Sequence, residues 1–212
     1  MEQKDEIRIS VKGLAKFMTG SHVKQRKILR DFKYPDPKGS AQAIYYREAK
    51  DFIGSYLEKG LPAEWLAQKG NLLRSLAQQG SSSTAARLRH NARAIADFQK
   101  HFGAEKYECL PDLRLAFTSG KVRVTASPDL HIRYRGQEKL LKFEFTAEEP
   151  DERSFRILAQ GTFAAAEGAN LQLKPSAIWV FDVPRGARYE ASRAKSAIGR
   201  EIEAACQTIA DI

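Results

Sequence analysis

"PDLHIRYRGQEKLLKFEFTAEE", residues 128–149, is the stretch on which the fold turns. Leu130, Ile132 and Tyr134 alternate with Asp129, His131, Arg133 and Arg135, and the period of two marks a strand with one apolar face. After the turn at Arg135, Gly136 and Gln137 the alternation resumes. Leu141, Phe143 and Phe145 fall on the core face of the second strand, and Lys142, Glu144 and Thr146 on the other. Pairing the two strands as a hairpin brings Asp129 and Glu144 to the same face near its open end. Two carboxylates with water and phosphate oxygens are enough to hold a hard divalent cation such as Mg²⁺.

Upstream of this hairpin the period is helical. "VKGLAKFM", "HVKQRKILRDF", "SAQAIYYREAKDFIGSYLEKG", "PAEWLAQKGNLLRSLAQQG" and "TAARLRHNARAIADFQKHFG" carry apolar residues three and four apart, with glycines near their ends. "YPDPKGS" reads as a loop, and "GSSST" supplies hydroxyls to cap the helix after it. From Lys106 the period changes to two through "KYECL", "LRLAFTSG" and "KVRVTAS". Downstream of the hairpin, "ERSFRILAQGTFAAAEGANL" is an amphipathic helix, "AIWVFDV" a strand buried on both faces, and "SRAKSAIGREIEAACQTIADI" a closing helix. The expectation is an α+β chain: a helical region over 1–105, then a mixed sheet flanked by helices over 106–212, in one integrated domain.

Composition narrows the partners. Thirty-five Lys and Arg against 26 Asp and Glu give a formal charge of +9 and a pI near 9.6, which favours a polyanion. Lys24, Lys27 and Arg30 recur at helical spacing in "HVKQRKILRDFK", as do Arg89 and Arg93 in "RLRHNAR". Each set is placed to track a phosphate backbone. Phe32, Tyr34, Tyr45 and Tyr46 are the aromatic residues available for stacking, and the plain alternative is a solvated basic face with core aromatics. Cys109 and Cys206 have no metal-ligand spacing and read as reduced thiols. With neither a secretion signal nor an apolar run long enough to span a bilayer, the expected compartment is the cytoplasm.

The order of these pieces resembles the PD-(D/E)XK nuclease superfamily, within it the RecB-like branch. Members carry an Asp on one strand of a hairpin, a (D/E)xK triplet on the next, then a helix and a further strand. Here "SPDL" supplies Asp129 and "EFT" supplies Glu144. His90 in "RLRHNARAIADF" and Gln160 in "RILAQGTFAAA" stand where that branch has a histidine and a glutamine, and "ISVKGLAKFM" is similar to its strand-then-helix opening. The resemblance implies a restriction-endonuclease-like core, Mg or Mn held by Asp129, Glu144 and His90, catalysis by Asp129, Glu144, Lys142 and Gln160, and DNA as partner. Two positions depart from the pattern: Thr146 replaces the triplet lysine and Ala164 an aromatic. A hydroxyl brings no positive charge to a phosphoryl transition state, and Lys142, on the same strand face, is the candidate substitute. The implied function is a nucleic-acid-binding, nuclease-like protein, degenerate or dependent on a partner in DNA processing or defence. The alternatives are an active Mg- or Mn-dependent nuclease and a protein-interaction scaffold.

Overall fold

A computed structural model describes residues 6–33, 45–146, 151–193 and 196–211. The hairpin forms as its alternation requires. β5 (Leu130–Tyr134) pairs antiparallel with β6 (Gln137–Glu144), Leu130 opposite Leu141 and Tyr134 opposite Gln137. Its turn is Arg135–Gly136, both left-handed at φ 49° and 75°. Two successive positive φ values match the right-handed twist of the flanking strands, which is why the glycine stands there.

α6 (Glu152–Gly168) lies between β6 and β7 (Ile178–Asp182) in sequence, and the two strands pair in parallel, Glu144 beside Asp182. β8 (Ala187–Glu190) pairs antiparallel with β7, and β2 (Glu108–Leu110) with β5, so the five strands run β2-β5-β6-β7-β8. A second sheet of three strands, β1-β4-β3, sets β1 (Ile7–Ser10) parallel to β4 (Val122–Ala126), with β3 (Leu115–Ser119) antiparallel on its other side. The first strand of the chain is thus paired with one from its second half. The overall class is mixed α+β, as expected.

Two hydrophobic clusters flank the five-stranded sheet. On one face α1 (Val11–Thr19), α6 and α7 (Ala197–Ala210) pack with the smaller sheet against Leu140, Ile178 and Val180. On the other, α3 (Arg47–Glu58), α4 (Ala63–Gln79) and α5 (Ser82–Phe102) cover Leu141, Phe143, Phe145, Trp179 and Phe181. The rings of Phe143 and Phe181 stack at 5.7 Å, and Phe98 meets Phe143 edge-on. Each such side chain taken out of water contributes about 1.5–3 kcal/mol. α2 (His22–Lys33) follows α1 with an exposed, basic surface.

The Ser10 hydroxyl accepts from the Gly13 N–H and caps α1. α6 crosses α1 at Gly161, where a Cβ would stand 2.8 Å from Val11 Cγ1, so only glycine allows the helices this approach. These two features set the position of α1 over the sheet. One expected cap is different: Ser81 precedes α5, but its hydroxyl donates to the Thr84 hydroxyl instead of accepting from a helix N–H. The loop expected at 34–40 and the stacking candidate Tyr34 lie outside the described residues, as does the side chain of Phe32.

Candidate functional site

Strand alternation turns Leu140, Lys142 and Glu144 toward α1 and α6, while Asp182 sits beside Glu144 on the neighbouring strand. Asp129 immediately precedes β5. Its N–H donates to the Leu141 carbonyl at 2.7 Å, and its Oδ2 accepts from the Phe143 N–H at 2.8 Å. The carboxylate thus takes the place of a ladder carbonyl at the end of the hairpin, which fixes its orientation.

Ammonium groups fill the rest of its coordination. Lys50 of α3 donates to Asp129 Oδ1 at 2.8 Å and Lys142 to the same oxygen at 3.2 Å, with a second Lys142 bond to the Ser127 carbonyl at 2.9 Å. Burial pushes the Asp129 carboxyl up, but Lys142, Lys50 and the Phe143 N–H outweigh it and hold it below its ordinary range. Burial lowers the Lys142 ammonium from its usual value; Asp129 opposes the shift and Lys50 adds to it.

Glu144 is treated alike by a different helix. Lys12 Nζ meets its Oε2 at 2.6 Å, with 7% of the Glu144 side chain exposed and 48% of Lys12. Glu144 Oε1 is buried with no hydrogen-bond partner among the described residues. One turn along, Lys16 is lowered by burial and by Lys12, against an opposing pull from Glu144. A lysine in the first turn of a helix opposes the helix dipole, so the carboxylate accounts for Lys12 better than helix formation does. Asp182, fully buried, accepts from Arg185 at 3.2 and 3.1 Å through its two oxygens. Three lysines therefore pair with Asp129 and Glu144, while Asp182 is matched by its own arginine.

The other sequence candidates are dispersed. His90 is exposed, its Nδ1 2.7 Å from the Tyr45 hydroxyl. Gln160 is buried, and its Oε1 accepts from the Ser192 N–H at 3.0 Å and hydroxyl at 2.9 Å, tying the segment after β8 to α6. Neither side chain is hydrogen-bonded to Asp129 or Glu144. Thr146 is exposed beyond β6. Lys24, Lys27 and Arg30 lie on α2, and Arg89 and Arg93 on α5. Lys12, Lys16, Lys50 and Asp182 were not singled out from sequence. A carboxylate ending the apolar run "IWVFD" was a readable signal for Asp182, and a first-turn lysine for Lys12.

A divalent ion needs oxygen donors that converge with lone pairs to spare. Both Asp129 oxygens already accept from N–H donors, and among the described residues no three His, Cys, Asp or Glu side chains converge on a point. Glu144 Oε1 carries no donor among the described residues, and a cation at these two carboxylates would compete with Lys12, Lys50 and Lys142 for their other oxygens. No family model matches the chain, and no curated protein matches it significantly. Among the described residues no helix is long and apolar enough to cross a membrane.

Proposed function

We propose that the protein binds nucleic acid through a nuclease-like core whose carboxylates are neutralised by lysines, and that it does not cleave unaided. The observation that carries this reading is the pairing of Lys12 with Glu144 and of Lys50 and Lys142 with Asp129. Lys12, Lys50 and Lys142 outnumber the two carboxylates, which leaves a net positive charge suited to a phosphodiester. The hairpin that carries Lys142, Glu144 and, at its open end, Asp129, then a helix and a parallel strand, follow the order of the PD-(D/E)XK superfamily, and the basic charge of the whole chain supports the same partner. Where a catalytic member would offer carboxylates to a metal, this chain offers ammoniums to a phosphate. A role as the DNA-holding subunit of a processing or defence complex follows from that exchange.

The second reading, a Mg- or Mn-dependent nuclease, is favoured by one atom: Glu144 Oε1, buried and without a donor among the described residues. It requires Lys12 and Lys50 to withdraw. Fluorescence anisotropy on labelled single- and double-stranded DNA in EDTA, beside a cleavage assay in Mg²⁺ or Mn²⁺, separates the two. The expected result is metal-independent, salt-sensitive binding, weakened about fivefold by each of Lys12→Gln and Lys50→Gln, without cleavage. Metal-dependent cleavage abolished by Asp129→Ala and by Glu144→Ala would establish the nuclease instead.

A further inference from the structure

α4 and α5 lie side by side, and between them runs an open groove of about 460 Å³ lined by Arg74, Ala77 and Gln78 from one helix and Arg89, Arg93 and Ala96 from the other. Alanines form part of the lining and three guanidiniums share it, with no carboxylate among the lining residues. Arg74 donates to the Asn71 amide oxygen at 2.7 Å, Arg93 stands 3.6 Å from Asp97 with most of its side chain exposed, and Arg89 is exposed with no ion pair among the described residues. Three like charges around one depression repel one another, and their unused N–H donors are arranged for an anion.

We propose that this groove is a second phosphate-binding site for the nucleic acid strand, separate from the lysines at Asp129 and Glu144. Guanidinium forks match phosphate oxygens in pairs, and the Gln78 amide adds a neutral donor. Arg89 and Arg93 are four residues apart on α5, so their Cα atoms stand about 6 Å apart along its axis. Evenly spaced phosphates match guanidiniums spaced along one helix, whereas the carboxylates of a short acidic peptide have no such fixed repeat.

This inference rests on the nucleic-acid reading, and the experiment keeps the two apart. Labelled single-stranded and duplex oligonucleotides are titrated in EDTA over a salt series with the full chain, with Arg74→Gln/Arg89→Gln/Arg93→Gln and with Lys12→Gln/Lys50→Gln; circular dichroism checks the fold of each, and poly-glutamate is run as a competitor. The arginine variant is expected to bind at least about tenfold more weakly, with a salt slope smaller by about 2 to 3. Wild-type affinity and slope in the arginine variant, with loss in the lysine variant, would overturn the groove and leave the first site standing. Absence of binding by the unaltered chain would overturn both. Competition by poly-glutamate as effective as that of unlabelled DNA of equal charge would overturn the nucleic-acid assignment in favour of an acidic protein.

Discussion

The two faces of β6 differ as much as two proteins would. Toward α3, α4 and α5 the strand presents Leu141 and Phe143, with Phe145 just beyond its end, all buried among aromatic rings. Toward α1 and α6 it presents Leu140, then Lys142 and Glu144, whose charges need partners on other elements. The aromatic face is what apolar burial selects. The charged face costs desolvation that hydrophobic residues of similar volume would not, so folding alone does not account for it. Lys12 and Asp129 offset that cost by pairing with Glu144 and Lys142.

Breaking the aromatic face should have the largest effect. Phe143→Ala removes a ring packed against Phe98 and Phe181 and is expected to cost about 3–5 kcal/mol by urea denaturation. Lys142→Met on the opposite face should cost less than about 1 kcal/mol, since Lys50 still holds Asp129. Equal costs would erase the distinction between the faces.

Acid sharpens the comparison with a smaller effect. The folded pKa of Asp129 is depressed, so its contribution is present above the unfolded value of about 3.9 and is lost as pH falls through the folded value. The stability gap between the wild type and Asp129→Asn, about 1–3 kcal/mol near neutrality, should close in that acid range. A gap that stayed constant to the lowest pH at which the protein folds would show that the lysines are not held by this carboxylate.

What could be read in the sequence was local. Alternation gave both faces of the hairpin, and the Arg135–Gly136 turn needed only a glycine at the right place. Among the described residues the helical stretches and the strand "AIWVFDV" also fell close to where their periods put them, with the helix expected from Ser192 beginning at Ala197. The partners of the carboxylates were not legible, because Lys12 lies 132 positions from Glu144 and Lys50 lies 79 from Asp129. Their meeting depends on the crossing of α1 and α6 at Gly161 and on the packing of α3 beside the hairpin, neither of which has a periodic signature. Sequence offered Lys142 as the substitute for the triplet lysine; it lies on Asp129, while the ammonium on Glu144 comes from α1.

Glu144→Gln gives the most direct test, read as DNA affinity in EDTA and as cleavage in Mn²⁺ on the same preparation. Removing a negative charge beside Lys12 and Lys16 while keeping the side chain's shape should tighten binding about fivefold and leave cleavage absent, as in the wild type. Unchanged or weaker binding, or a wild-type Mn²⁺-dependent cleavage that the substitution abolishes, would contradict the claim that lysines have taken over this site.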